Sequence, residues 1–289
     1  MNDPILITGC STGIGRAVAL ALLDRGHTVY ATARLVDTLA ELEAKGARVL
    51  ALDVTDEASM AAAVQAVEAE YGSVGTLINN AGFAKYGAFE NVPLDEARRQ
   101  LETNVFGLAR LTQLVLPAMR KAGRGRIINV SSMGGRVTFP LGAWYHVSKH
   151  SVEALSDTLR QEVRQHGIDV VLMEPGTVRT AFDATMDAEY VSEAEGPYAA
   201  LEVAGRRYFG EAYRSRWAVT AEKAARPFVK AVEARHPRHR YLSTTVGKFS
   251  VHLRRLGGSR LWDAIVRRLF AGAARRAAPA TVGTFRDQF

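Results

Sequence analysis

The chain has 289 residues, 47% hydrophobic and 23% charged, with a formal net charge of +7. This ordinary globular composition excludes wholesale disorder, a collagen-like fibre and a disulfide scaffold, and α/β folds reach this length as one unit. The charge is unevenly spread: residues 1–204 hold 18 Lys and Arg against 25 Asp and Glu, a balance of −7, and residues 205–289 hold 19 against 5, a balance of +14.

The N-terminus, Met1-Asn2-Asp3-Pro4, lacks the basic start of a signal peptide. Short β-rich apolar runs follow at Ile5–Thr8, Thr28–Ala33, Arg48–Leu52, Thr76–Asn79, Arg126–Ser131 and Asp169–Met173. Between them lie helical stretches at Gly15–Asp24, Ala58–Tyr71, Leu94–Arg120 and Tyr145–Gln165. In the second of these, Met60, Val64 and Val67 recur every three or four positions, as one buried helix face requires. Such alternation predicts βαβ units and a parallel sheet, and strands this apolar predict helices on both faces. Cys10 is the single cysteine, so no internal disulfide is possible, which fits a reducing cytoplasm. No apolar run reaches the roughly 18–20 residues of a membrane-spanning helix.

Pro175-Gly176 ends the alternation, and residues 177–218 read as an insertion with short helices. A helix near Ala221–Ala234 and a short strand near Arg240–Ser243 follow. In the tail, Leu261-Trp262, Ile265-Val266 and Leu269-Phe270 are spaced as one apolar helix face, and 271–280 is the segment expected to fray. The arginines there could meet an anionic lipid or nucleic acid, an acidic patch of the same chain or a second subunit, or only solvent. No zinc finger or paired aromatic motif favours nucleic acid, and no Cys/His cluster has metal-ligand spacing.

The first strand runs into Thr8-Gly9-Cys10-Ser11-Thr12-Gly13-Ile14-Gly15 and then a helix. Glycines there let the backbone approach a pyrophosphate, and the helix N-terminus offers free N–H groups. The second strand ends at Ala33-Arg34, where an acid would hold the ribose hydroxyls of NAD. An arginine there instead suits a 2′-phosphate. The expected cofactor is therefore NADP(H) in preference to NAD(H).

With this turn, Asn79-Asn80-Ala81-Gly82, Ser132, Tyr145-His146-Val147-Ser148-Lys149 and Pro175-Gly176, the sequence resembles the short-chain dehydrogenase/reductase family over residues 3–180, and more loosely to about 243. Several words are similar to the 17β-hydroxysteroid and retinol dehydrogenase branch: Thr8-Gly9-Cys10-Ser11, Val29–Arg34 and Val171–Gly176. The resemblance implies one doubly wound Rossmann-type α/β domain. Its seven-stranded parallel sheet would have the order 3-2-1-4-5-6-7, helices on both faces and a basic helical C-terminal extension. Residues 1–245 would form the dinucleotide-binding and catalytic domain, with 177–218 as substrate-binding lid and 246–289 as extension.

The resemblance also implies roles. Tyr145 would be the general acid/base, with Lys149 one helical turn away lowering its pKa and holding the nicotinamide ribose. Ser132 would hold the substrate oxygen, and Asn104 would keep a water in contact with Lys149. Around the cofactor it places Gly9, Ser11, Thr12, Gly13, Ile14, Gly15 and Arg34, then Asp53 and Val54 at the adenine. Asn80, Ala81 and Gly82 would lie on the adenosine side, and Pro175, Gly176, Val178 and Thr180 at the carboxamide. Asp53 could also cap the next helix, and His146 reads as structural.

Apolar residues near the expected entrance are Phe83, Ala84, Met133, Phe139, Leu141 and Trp144, joined by Phe182. They suit a bulky hydrophobic secondary alcohol or ketone, steroid-like, or a retinoid-like alcohol or aldehyde. The expected activity is NADP(H)-dependent hydride transfer; the alternatives are a catalytically silent regulator, or an enzyme tethered by its Arg-rich tail. The family's habit implies a homo-oligomer, a dimer or tetramer, through the helices near 94–120 and 145–165, or a monomer if the tail covers one of those faces.

Overall fold

The computed structural model describes residues 3–182, 190–192 and 195–277. Strands β1 (Ile5–Ile7), β2 (Val29–Ala33), β3 (Arg48–Ala51), β4 (Thr76–Asn79), β5 (Gly125–Val130), β6 (Ile168–Glu174) and β9 (Arg240–Leu242) form one parallel sheet. Its order is β3-β2-β1-β4-β5-β6-β9, the expected doubly wound order, since β9 is the seventh strand of this sheet. The two intervening strands, β7 (Val178–Arg179) and β8 (Val219–Thr220), pair only with each other.

Successive strand side chains point to opposite faces, and the core divides accordingly. Ile5, Ile7, Ala31, Ile78, Ile128 and Val171 meet α1 (Gly13–Leu23), α2 (Ala40–Ala44) and α8 (Ala221–Glu233) through Val18, Leu22, Leu42 and Phe228. Leu6, Tyr30, Leu77, Ile127 and Val170 meet α3 (Glu57–Tyr71) and α5 (Leu108–Ala122) through Val64, Val67, Leu111 and Val115. Alternate residues of one strand thus serve two layers, which is why the strands read as continuous apolar runs.

A polar ladder ties the sheet to its helices. Asn79 Nδ2 donates to Asn129 Oδ1 (2.9 Å), its neighbour in register, and to Thr112 Oγ1 (3.0 Å). Asn129 Nδ2 donates to Ser156 Oγ (2.9 Å) on α6 (Ala143–Val163). Buried hydrogen bonds of this kind fix relative position as well as contributing stability.

Three expectations need correction. The helix expected over 94–120 is divided: α4 (Leu94–Leu101) passes through a π-helical stretch, Glu102–Gly107, before α5 begins. There the chain presses on the β3–α3 loop, because a Cβ on Gly107 would lie 2.2 Å from Val54 O. The insertion is dominated by one helix, α7 (Ala199–Arg214), longer than expected; residues 183–189 and 193–194 lie outside the described ones.

The tail, third, is helical over Thr245–Ala277 (α9), bent where Gly258 adopts φ 68° and ψ −175°. Its apolar pairs form two stripes, not one: Trp262, Val266 and Phe270 are buried, and Leu261 and Leu269 are exposed. Trp262 Nε1 donates to Thr138 O (2.9 Å), fastening α9 to the loop before α6. Residues 271–277, expected to fray, continue the helix, and 278–280 lie outside the described residues.

Candidate active site

One cavity of about 870 Å³ runs along the C-terminal ends of β1, β4, β5 and β6. Open α/β sheets place their ligand crevice there. Its polar end is the glycine turn. Gly9 (φ 72°) and Gly13 (φ 63°) adopt left-handed conformations that favour glycine. A Cβ on Gly15 would lie 2.4 Å from both Asn80 Nδ2 and Gly9 O, so the turn can close only without side chains. Asn80 secures it, its Nδ2 donating to Thr8 O (2.9 Å) and Gly9 O (3.0 Å). Thr8 Oγ1 accepts from the backbone N–H groups of Asn80 and Ala81, both at 2.9 Å. No side chain caps α1, whose first residues, Gly13 and Ile14, line the cavity. The uncapped N–H groups and dipole end suit an anionic pyrophosphate.

Ala33 and Arg34 line the same end. Arg34 is exposed, and no described residue pairs with it. Asp53 and Val54 also line it. The Asp53 carboxylate accepts from Thr55 N (2.9 Å) and Thr55 Oγ1 (2.7 Å). It does not cap α3; Asp56 does, accepting from Ser59 N at 3.1 Å. These features fit a phosphorylated dinucleotide: a backbone cradle, an uncapped helix and an unpaired guanidinium.

Ser132, Tyr145 and Lys149 meet in the middle of the cavity. Ser132 follows β5 and caps a short 3-10 turn, its Oγ accepting from Gly134 N (3.0 Å) and donating to Pro175 O over a long 3.4 Å. Tyr145 and Lys149 share one face of α6, with Lys149 Nζ 5.9 Å from the Tyr145 ring centre. Lys149 Nζ donates to Val130 O (2.9 Å).

Electrostatics here depart from expectation. Burial raises the Tyr145 phenol above its ordinary value, opposed only by a hydrogen bond with Ser132. The expected lowering by Lys149 is not seen, because desolvation disfavours the phenolate more strongly. Burial also brings Lys149 down to about 8, with the Glu153 carboxylate resisting. The phenol is therefore protonated at neutral pH.

His146 accepts from Phe139 N at Nε2 (2.9 Å), so its Nδ1, 2.9 Å from Gly134 O, is the donor. Burial drops its pKa to about 4, which keeps this neutral bridge intact and fixes the loop between the Ser132 turn and α6.

Most of the expected site residues line this cavity; Gly15, Asn104 and Trp144 do not. Asn104 lies buried in the π-helical stretch, accepting from Phe83 N (3.0 Å) and donating to Phe83 O (2.9 Å) and Ser148 Oγ (3.1 Å). Trp144 faces away from Tyr145, its neighbour on α6, and stacks on Phe89 at 5.7 Å. Ala84 and Leu141 are core residues.

Phe83, Met133, Phe139 and Phe182 do line the cavity, with Phe182 6.1 Å from Tyr145. Sequence reasoning missed Tyr86, whose ring lies 5.8 Å from Tyr145. It also missed the α9 wall at Val246, Leu253, Ile265 and Leu269. The spacing of the α9 residues was visible; the direction of the face was not.

The family model for short chain dehydrogenases matches residues 3–191. The 3-ketodihydrosphingosine reductase of Bacteroides thetaiotaomicron is 42% identical over 193 residues, 66% of this chain and 69% of that protein. The NADPH-dependent 3-dehydrocapnine reductase of Ornithobacterium rhinotracheale is 39% identical over 184 residues, 61% of this chain and 65% of that one. A short-chain dehydrogenase structure from Streptomyces avermitilis superposes with a TM-score of 0.78 at 33% identity, covering 92% of this chain and 97% of its own. One from Burkholderia phymatum, in complex with NAD, gives 0.76 at 27% identity, covering 88% and 93%. The chain belongs to the short chain dehydrogenase/reductase family of NAD(P)-binding oxidoreductases.

Proposed function

We propose that the protein is an NADP(H)-dependent oxidoreductase that interconverts a bulky hydrophobic ketone and its secondary alcohol. The observation behind this reading is the single cavity that joins the glycine turn and Arg34 to Ser132, Tyr145 and Lys149. It continues past them between the rings of Phe139, Phe182 and Tyr208. An apolar pocket with a few convergent polar groups suits a hydrophobic substrate held by one oxygen. Both relatives above are named as reductases, one of a 3-keto and one of a 3-dehydro compound, and one as NADPH-dependent.

The bound cofactor would supply or accept a hydride at the carbonyl carbon. The rest is the work of this chain. Ser132 Oγ turns from its long bond to Pro175 O and donates to the substrate oxygen, stabilising its developing charge. The protonated Tyr145 phenol delivers its proton to that oxygen as the carbonyl becomes an alcohol, and takes it back in oxidation. Lys149, tied to Val130 O and 5.9 Å from the centre of the Tyr145 ring, would hold the nicotinamide ribose beside the phenol. Asn104 ties the Phe83 backbone to α6 through Ser148 and so keeps the Gly82 edge of the site in place.

In this reading residues 1–245 bind the cofactor and perform the chemistry, 177–218 include the substrate wall, and 246–289 are a basic extension whose Val246, Leu253, Ile265 and Leu269 add to that wall. The protein acts in the cytoplasm as a homo-oligomer. Exposed Leu94, Phe106 and Val147, on the helices expected to pair, support that assembly.

Tyr145→Phe tests the chemistry. The variant is expected to bind NADPH as the wild type does and to lose about 10²–10⁴-fold in turnover of a hydrophobic ketone. Near-normal turnover would overturn the assignment of Tyr145.

A further inference from the structure

The cavity has an apolar arm beyond Tyr145 that ends at the surface. Trp217, Phe249 and Leu269 all line it, yet they are 52%, 67% and 40% exposed. They form its mouth. Leu256, 85% exposed, lies one helical turn beyond Leu253 of the cavity wall, and Leu261, 45% exposed, follows the bend at Gly258. Three large apolar side chains thus line one opening, and two more are exposed on the helix that walls it. Isolated exposed apolar residues are ordinary, but a contiguous group at a cavity mouth marks a binding surface.

The helix that walls this mouth is strongly basic. Helix α9, Thr245–Ala277, holds eight Lys and Arg residues and one acid, Asp263. Among the described residues only Arg276 of these eight has a carboxylate partner, Glu211. Lys248, Arg255, Arg260, Arg267 and Arg268 are exposed. Arg216 lies over the Trp217 ring, 4.9 Å from its centre, and adds a further cation at the rim. Of the expected partners, an acid of the same chain meets only Arg276 of these eight among the described residues.

Exposed Phe249, Leu256, Leu261 and Leu269 interleaved with unpaired arginines on α9, with Trp217 at the cavity mouth, are the make-up of a surface that lies in a membrane interface. The arginines meet anionic headgroups while the apolar side chains enter the acyl boundary. No helix among the described residues is long and apolar enough to cross a bilayer, so the contact is with one leaflet.

We propose that this face docks on an anionic lipid surface and that the hydrophobic substrate enters the cavity directly from it, between Trp217, Phe249 and Leu269. The docking stands on the surface residues alone; the route of entry rests on the proposed carbonyl site. An apolar mouth pressed against lipid loses no contact with water when the substrate passes, whereas an aqueous approach exposes both.

The test is sedimentation of the full chain with vesicles of phosphatidylcholine, with and without phosphatidylglycerol. Turnover of one water-soluble ketone and one membrane-dissolved ketone is measured alongside. Binding is expected only to the phosphatidylglycerol vesicles, weakened by salt as the arginines are screened. Leu256→Ser combined with Arg255→Glu and Arg260→Glu, all outside the cavity lining, is expected to lower vesicle binding at least tenfold. It should also lower turnover of the membrane-dissolved ketone, with the melting temperature and turnover of the soluble ketone unchanged. Vesicle binding that is absent, or unchanged in the triple variant, overturns the proposal. So does retention on RNA, or pairing into dimers through this face, without vesicle binding. Vesicle binding with no turnover of either ketone leaves the docking in place and removes the carbonyl reading.

Discussion

Glu153 and Glu174 meet in the interior behind Lys149, each with one buried carboxylate oxygen, Oε1 and Oε2 respectively, that no donor satisfies. Arg240 contacts both carboxylates, Nη2 at 3.0 Å from Glu153 and Nε at 3.1 Å from Glu174, and Arg136 reaches Glu174 at 3.2 Å. A proton on Glu174, donated to Glu153, satisfies both orphan atoms. Burial, and then the charge of Glu153, push Glu174 up to about 7 against the pull of the two arginines. Glu174 precedes Pro175, whose carbonyl accepts from Ser132 and Met133, so the shared proton stabilises the strand end beneath the active site.

The sign of the resulting pH dependence follows from linkage. A raised Glu174 contributes stability that is fully present below pH 4.5 and is lost as pH rises through about 7. His146 is lowered to about 4, so its contribution is present above pH 6.5 and is lost as pH falls toward 4. Between about pH 4.5 and 6.5 the two oppose each other and flatten the profile. Glu174→Gln keeps a neutral hydrogen-bonding group and removes one of the two slopes. Its melting temperature is expected to rise from pH 4.5 to 6.5 more steeply than that of the wild type. It should also lose less than the wild type between pH 6.5 and 8. Parallel profiles for the two proteins would exclude the shared proton.

Cofactor choice should reside in Ala33 and Arg34. A charged hydrogen bond contributes about 1.5–3 kcal/mol, and about 1.4 kcal/mol is tenfold. Arg34→Ala is thus expected to lower kcat/KM for NADPH by at least about tenfold and to leave that for NADH unchanged. Ala33→Asp adds a carboxylate that repels a 2′-phosphate and accepts from a free ribose hydroxyl, and should shift preference further toward NADH. An unchanged ratio of the two specificity constants in both variants would remove these residues from the recognition of the phosphate.

The central strands were legible because they are buried on both faces, so runs such as Ile5–Ile7 and Val170–Met173 are unbroken by polar residues. The glycine turn was legible because strand, turn and helix lie in one local stretch. What failed was whatever depends on which way a face turns. Trp144 is adjacent to Tyr145 in sequence, but neighbouring helix positions point about 100° apart, so one lines the cavity and the other stacks on Phe89. The two α9 stripes differ by one residue at each step, Leu261 from Trp262 and Leu269 from Phe270, and only packing decides which is buried. The π-helical stretch at Asn104 leaves no mark in a 3.6-residue pattern. The phenol's raised pKa was hidden for a related reason: Lys149 is visible four residues on, whereas the desolvation that outweighs it comes from distant rings such as Tyr86 and Phe182.

Ser132→Ala separates positioning from proton transfer. The hydroxyl caps the turn through Gly134 N and lowers the Tyr145 phenol through a hydrogen bond. Its removal deletes a donor to the substrate oxygen, a loss typically of about 10²–10³ in kcat. It also leaves the phenol higher, so the limb of the pH–rate profile that reports Tyr145 should move to higher pH. NADPH affinity, measured by fluorescence titration, is expected to stay within about twofold of wild type. A fall in kcat without movement of that limb would show that Ser132 does not act on the phenol.

Trp262 joins the tail to the catalytic loop. It is buried, its Nε1 donates to Thr138 O, and its ring meets Phe139 edge-on at 5.5 Å. Phe139 in turn donates its backbone N–H to His146, so the substrate wall, the neutral histidine and α9 form one packed unit. Trp262→Ala should destabilise the protein by about 3–5 kcal/mol, as large-to-small core changes do. Trp262→Phe retains most of the packing and loses the hydrogen bond, at about 1–3 kcal/mol for the carbonyl left unpaired. If the wall is held from α9, the phenylalanine variant should raise KM for a bulky ketone and leave KM for a small one unchanged. Equal changes for both substrates would mean that Trp262 stabilises the fold without shaping the pocket.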